Sequence, residues 1–328
     1  MNGRAQLARN REFFLNASTG ALSGLLYLSY VLSFAFLVPV QHVFAGRGRR
    51  SGLVAAAFAL VVIAAGQAGR MIELQALNVL TLSVGILPPL LLLAAVGFIN
   101  MKAGRLGSGN KIFIAAAVLS VVAAPFILEA TSDRNFSSWL IEYVGEAMKS
   151  SGFAGDGTAY AREAVESAIL VLRSAFAVFI LWILAASWWL GSWFAARAAL
   201  REKKSDGGMP ASIHLAAIRV PYIALWPTLL SWALLFAALL TKQKGLFSAV
   251  TWNIALCAAS LYAMQGIGIL SHLITQFNAS RLVRILAPLA LMVMVLSPTA
   301  GAIMLIALPL LGITEVWLPY RTIKGALK

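Results

Sequence analysis

The fold of this chain is decided by residues 284–321, RILAPLALMVMVLSPTAGAIMLIALPLLGITEVWLPYR. Between the two terminal arginines lie 36 residues that carry one charged side chain, Glu315. A single helix of that length would extend roughly 54 Å, whereas the hydrocarbon core of a bilayer is about 30 Å thick. Tilting does not absorb the excess, because spanning helices tilt by at most about 40°. The stretch therefore predicts two membrane segments, with a turn at Ser297-Pro298, where proline favours a break.

Composition places the whole chain in a membrane. Its 328 residues are 60% hydrophobic and 12% charged, and their mean hydropathy is +0.85. Soluble domains carry about 25% charged residues, so a soluble fold is excluded. The net charge of +14 comes from short basic clusters between apolar runs, which is typical of loops that anchor a membrane protein. We therefore expect the lipid bilayer, and no nucleic acid, as a partner.

Breaks in hydropathy divide the chain into eight apolar runs: 13–46, 51–66, 74–99, 112–129, 168–196, 213–240, 246–272 and 282–318. The first run is also too long for one span, and a turn is predicted between Tyr30 and Ser33. If both terminal runs are hairpins, 19 of the 26 basic residues fall on one side of the membrane and 7 on the other. The richer side is expected to be cytoplasmic and to hold both termini.

These patterns predict an all-α polytopic membrane bundle with about 8–10 membrane segments and short hairpin legs at both ends. The bundle forms one integral membrane domain over residues 1–328. Full spans and re-entrant hairpins both fit the terminal legs.

One long segment between apolar runs, residues 130–167, is predicted to lie on the outer side and to carry an amphipathic helix. Phe136, Trp139 and Tyr143 recur there at helical spacing, with Glu142 and Glu146 among them. Two interpretations fit: a helix that lies in the membrane interface on aromatic anchors, which we favour, and a lid over an outward-facing cavity. In the second interpretation, Trp139 and Tyr143 contact a ligand.

Catalytic signatures are missing from the sequence. HExxH, CxxC, P-loop and GxSxG motifs are absent, and the three histidines are far apart. We therefore assign no catalytic residue, metal ligand or cofactor, and we expect a protein that is not an enzyme.

Polar residues inside the apolar runs are the remaining candidates. One interpretation is that they line a small-molecule site; hydrogen bonding between helices is the alternative, which we favour. A further prediction pairs Arg219 with Glu315 near the inner surface, against the alternative that Glu315 reaches interfacial water. Gly20 and Gly24 form a small-xxx-small pair that allows close helix packing. The ligand-binding candidates within or directly beside the runs are Gln67, Asn78, Asn253, Gln265 and His272.

Two stretches carry a resemblance to a known family. The start includes TGALSGLLYLSY, residues 19–30, and the close includes QGIGILSHLI, residues 265–274, and LPLLGITEVWLPYR, residues 308–321. This order of features resembles the YybS-like family of bacterial integral membrane proteins, in which a leucine-glycine step, an acidic residue and a final arginine match Leu311-Gly312, Glu315 and Arg321. That family is loosely similar to the substrate-binding subunits of energy-coupling-factor vitamin importers.

The resemblance implies a multi-pass protein of the bacterial inner membrane that binds or transports a small molecule. It also implies a separate coupling or ATPase subunit, which Gly20 and Gly24 on the first helix would contact. The alternative function is a non-catalytic membrane scaffold in cell-envelope assembly.

Overall fold

The computed structural model describes residues 2–73, 79–101, 106–151, 157–201, 219–243, 245–276, 298–318 and 320–321, together with positions 280, 282, 283, 286, 287 and 290. Its α-helices are α1 (Asn2–Leu28), α2 (Leu37–Arg47), α3 (Arg49–Glu73), α4 (Val79–Ile99), α5 (Ser108–Ala130), α6 (Arg134–Ser150), α7 (Gly157–Arg201), α8 (Leu225–Leu240), α9 (Leu246–Gln276) and α10 (Pro298–Thr314). Short 3-10 turns precede α2 and α8. No strand occurs in the described residues, and the predicted all-α fold is confirmed.

The described part of the chain contains five helices that are long and apolar enough to cross a bilayer. They are Arg49–Ile72, Ser108–Ala130, Gly157–Leu200, Tyr222–Leu240 and Leu246–Gln276. Large apolar side chains point outward from these helices; Val121 and Ile223, for example, are each 75% exposed. Such a surface is expected where lipid tails cover the protein. The prediction of a polytopic membrane protein is therefore confirmed.

The first apolar run is a hairpin, as predicted. Helix α1 ends at Leu28, Tyr30 has a positive φ of 57°, and α2 begins at Leu37. The hydroxyl of Ser23 donates to the carbonyl of Phe36 and closes the hairpin. Its legs are unequal, because α2 has only 11 residues, with Leu37 and Val40 fully buried. A leg this short does not span a bilayer and must be covered by protein.

At the other end of the chain, α10 begins at Pro298. Proline suits the first helical position, because its missing N–H would have no partner there. The predicted turn residue Ser297 lies outside the described residues, as does most of the first leg.

The chain divides into two compact units. Unit 1 comprises Met1–Ala124 and Phe179–Pro210, and unit 2 comprises Pro125–Val178 and Ala211–Lys328. Both units contain long apolar helices, so the division does not separate a membrane part from a soluble part.

Glycines bring helices together within each unit. In unit 1, a Cβ at Gly20 would collide with the backbone carbonyl of Ala55, and one at Gly24 would lie 2.7 Å from the Cβ of Val62. In unit 2, Gly266 and Gly312 allow the same close approach between α9 and α10. The small-residue face of α1 is thus covered by α3, because the short α2 leg returns the chain alongside α1. Gly20 and Gly24 therefore serve helix packing within the chain.

Candidate functional site

An open groove of about 550 Å³ lies in unit 2. Carboxylates and a guanidinium border it together, and two leucines supply apolar walls. The carboxylates belong to exposed residues, whereas Arg173 is half-buried. Volumes of roughly 300–1,000 Å³ are typical of small-molecule sites, so the groove is a candidate binding site of this unit. Its lining residues are Leu128, Glu129, Ser132, Asp133, Arg173 and Leu246.

The acidic side of the groove is built by the tight connection between α5 and α6. The hydroxyl of Thr131 donates to the carbonyl of Ile127 at 2.6 Å, and that of Ser132 donates to the carbonyl of Leu128 at 2.7 Å. Asp133 is the N-cap of α6, and its carboxylate accepts from the backbone N–H of Asn135 at 2.9 Å. This capping contact fixes the direction of the Asp133 side chain.

The basic side of the groove lies on α7, where Asn253 of α9 contacts the backbone of Arg173. The amide nitrogen of Asn253 donates to the carbonyl of Arg173 at 2.9 Å and to that of Ala249 at 2.8 Å. Its amide oxygen accepts from the backbone N–H of Ala177 at 2.9 Å. Asn253 is 5% exposed. Its side chain therefore hydrogen-bonds between helices, which is the favoured alternative to the ligand-binding prediction.

A second polar cluster in unit 2 surrounds Gln265 of α9, which is 3% exposed. Its side-chain oxygen accepts from the backbone N–H of Val220 at 2.6 Å. Its nitrogen donates to the carbonyl of Gly312 at 3.0 Å and to Oε2 of Glu315 at 2.9 Å. The same Oε2 accepts from Nη2 of Arg321 at 2.7 Å. Gln265 thus connects α9 with Gly312 of α10, with Glu315 directly after that helix and with the segment before α8.

The partner of Glu315 differs from the predicted one. Arg321 pairs with it; the side chain of Arg321 is 3% exposed and that of Glu315 is 9% exposed. Arg219, the predicted partner, is exposed. The reason is a turn over residues 315–317, directly after α10, which folds Arg321 back toward the carboxylate. Because Glu315 is buried against protein, it does not depend on interfacial water.

The other candidates within the apolar runs do not converge. Gln67 lies on α3 in unit 1, facing Gly85 of α4. His272 lies on α9, two turns beyond Gln265, and its buried Nε2 has no hydrogen-bond partner among the described residues. Asn253 and Gln265 are 12 positions apart on the same helix, which separates them by about 18 Å. Asn78 lies outside the described residues.

Trp139 and Tyr143 lie on α6, within the predicted amphipathic segment. Their rings stack with centroids 5.8 Å apart, and the residues are 57% and 61% exposed. Neither lines the groove. The buried position of α6 is instead Gly145, which faces Ala161 of α7. The exposed aromatic face supports the interfacial interpretation over the lid.

Two features of the structure were missed by the sequence reasoning. Gln41 of α2 is 1% exposed; its side-chain oxygen accepts from Asn100 at 2.6 Å, and its nitrogen donates to the hydroxyl of Ser192 at 3.2 Å. The groove residues Asp133 and Arg173 were missed as well. A usable signal was the position of Glu129, Asp133 and Arg173 near the facing ends of two consecutive apolar runs, because the segment over residues 130–167 brings both ends to the same side.

No family model, curated protein or solved structure matches the chain. Its function is therefore inferred from the groove and from the polar cluster.

Proposed function

We propose that this protein is a small-molecule binding or transport subunit of the bacterial inner membrane, and that the groove at Glu129, Asp133 and Arg173 is its binding site. Both termini face the cytoplasm, and the groove opens on the outer face. The resemblance to the YybS-like family, and through it to vitamin-importer subunits, agrees with this proposal.

The observation that carries the proposal is the pairing of opposite charges around an apolar-walled groove. Two carboxylates attract an ammonium group, and the guanidinium of Arg173 suits an acidic group on the same ligand. Leu128 and Leu246 suit methyl or methylene groups between the charged ends. The favoured ligand class is a small zwitterion or a small organic cation.

Any use of ATP would require a second protein, because the sequence has no P-loop. That subunit is a proposal drawn from the resemblance. Its docking surface is not the Gly20–Gly24 face of α1, which packs against α3 within the chain.

The proposal is tested by ligand-induced stabilisation of the purified protein in detergent. The probes are glycine betaine, which carries both charges, choline, which carries only the cation, and acetate, which carries only the anion. A ligand at 100 times its Kd stabilises the folded state by about 2.7 kcal/mol. We expect glycine betaine to raise Tm most, choline less and acetate not at all.

Matched variants locate the binding site. Asp133→Asn removes the charge but keeps an efficient helix cap, and Glu129→Gln keeps the shape. Both should abolish the shift without lowering the Tm of the free protein. Glu142→Gln removes an exposed carboxylate of the same unit that lies outside the groove and should bind as the wild type does. The proposal fails if none of the probes stabilises the wild type or if the groove variants bind them unchanged.

The second candidate function is a membrane scaffold. One observation favours it: the buried amides of Gln41, Asn253 and Gln265 all take protein partners, as a packed interior requires. A scaffold predicts that a defined protein partner is recovered by cross-linking in native membranes and that the groove variants retain it.

A further inference from the structure

The side chain of Asn253 on α9 contacts the backbone of α7 at the groove. The carbonyl of Arg173 and the N–H of Ala177 are four residues apart, so they are the two groups that bond to each other in a regular α-helix. The side chain of Asn253 contacts both of them, donating to the carbonyl and accepting from the N–H, each at 2.9 Å. The amide of Asn253 therefore bridges one backbone hydrogen bond of α7.

Every hydrogen-bonding group of the Asn253 side chain has a partner. An asparagine side chain has two N–H donors and one acceptor oxygen, and here both donors and the oxygen have partners. The contact with Ala249, one turn earlier on α9, anchors the amide to its own helix. Because Asn253 is 5% exposed, water does not replace these contacts at low cost.

We propose that Asn253 is a positioning residue for the groove, acting through Arg173. The two contacts hold the α7 backbone at Arg173 against α9, and so fix the point from which the Arg173 side chain extends. Arg173 supplies both the bridged carbonyl and the basic side of the groove. Asn253 thus sets the direction of the guanidinium without touching the ligand. The ligand-binding consequence rests on the proposed function, whereas the effect on Arg173 does not.

The test without a ligand measures the reactivity of Arg173 toward phenylglyoxal by peptide mass spectrometry. Asn253→Leu keeps the branched side-chain shape and removes all three hydrogen bonds, and Asn253→Ser keeps one polar group. Losing one net hydrogen bond raises the population of other Arg173 side-chain directions roughly fivefold. We therefore expect Arg173 to react faster by up to that factor in Asn253→Leu and by less in Asn253→Ser. Arg162, also on α7, is the internal reference and should not change.

Thr251→Val is the matched control, because Thr251 is also buried on α9 but hydrogen-bonds only to carbonyls of its own helix. Its Arg173 should react at the wild-type rate. The proposal is overturned if Asn253→Ser, or a folded Asn253→Leu, leaves the Arg173 rate unchanged, or if Thr251→Val raises that rate equally.

The ligand arm uses glycine betaine and choline. Asn253→Leu and Arg173→Gln should each weaken the binding of glycine betaine. The double variant should lose less binding free energy than the sum of the two single losses, because both substitutions act on one contact. Choline binding should change little in either variant. If neither probe binds the wild type, the proposed function fails while the reactivity result still decides the role of Asn253. Strict additivity in the presence of binding overturns the positioning role.

Discussion

Glu315 shows how a carboxylate is accommodated at the end of an apolar helix. Its Oε2 accepts from both Gln265 and Arg321, and the carboxylate and guanidinium are largely buried. Desolvating such a pair offsets much of its Coulomb attraction, so the pair by itself adds little net stability. Removing one partner is different, because it leaves the other charge buried without compensation.

The first prediction therefore concerns single and double variants of this pair. Glu315→Gln and Arg321→Gln should each lower the free energy of unfolding by about 3 kcal/mol, and the double variant should lose less than their sum. The measurement is reversible unfolding in mixed micelles. Arg219→Gln is the control and should stay within about 0.5 kcal/mol of the wild type, because Arg219 is exposed. Additive losses, or an equal loss for Arg219→Gln, would contradict the pairing.

At the scale of helices, the contact between α1 and α3 depends on Gly20 and Gly24. A Cβ at Gly20 would meet the backbone carbonyl of Ala55, which cannot move aside as a flexible side chain can. Gly69 of α3, by contrast, has open space around the position of its Cβ. Gly20 and Gly69 thus form a matched pair for substitution by alanine.

The second prediction follows from this contrast. Gly20→Ala should destabilise the protein by about 1–3 kcal/mol through overpacking. Gly69→Ala should be neutral or stabilise by up to about 1 kcal/mol, because alanine favours a helix over glycine. Thermal unfolding in detergent measures both. If Gly20→Ala kept the wild-type Tm but lost association with another membrane subunit, the glycine face would serve docking instead of internal packing.

The third prediction concerns helix α6. Trp139→Ala combined with Tyr143→Ala removes the exposed stacked pair, and because neither residue lines the groove, ligand affinity and release rate should stay within about twofold of the wild type. The loss of the stack itself should cost about 1 kcal/mol of stability. Equilibrium binding and stopped-flow release of glycine betaine check the result. A clearly faster release would support the lid.

The helices were more predictable from the sequence than the contact partners of individual side chains. The overlong first run required a turn, and the structure has one at Tyr30 because helix length is limited by bilayer thickness. The amphipathic pattern of residues 136–149 likewise predicted α6. Arg321 as the partner of Glu315 was not predictable in this way, because a turn of three residues after α10 decides it. The groove was missed for a similar reason: its charges come from three elements, and only their packing brings them together.

At the scale of the whole molecule, the distribution of charge is the main guide to orientation. Residues 130–167 contain Glu142, Glu146, Glu163 and Glu166, whereas residues 47–50 and 197–204 are rich in arginine and lysine. Basic residues are retained on the cytoplasmic side during insertion, and acidic residues contribute little to this bias. Hence the segment that carries α6 and the groove is expected to face outward.

The fourth prediction tests this orientation with single cysteines. The natural Cys257 lies in the long apolar helix α9, so Cys257→Ser provides a background without thiols. Glu142→Cys on α6 and Arg49→Cys at the start of α3 both place a thiol at an exposed position. A membrane-impermeant maleimide added to intact spheroplasts should label the cysteine at position 142 and spare that at position 49. After permeabilisation the maleimide should label both cysteines, because the membrane, and not protein packing, is what protects position 49. The opposite labelling pattern would invert the topology and place the groove on the cytoplasmic face, where an uptake subunit could not collect its ligand from outside.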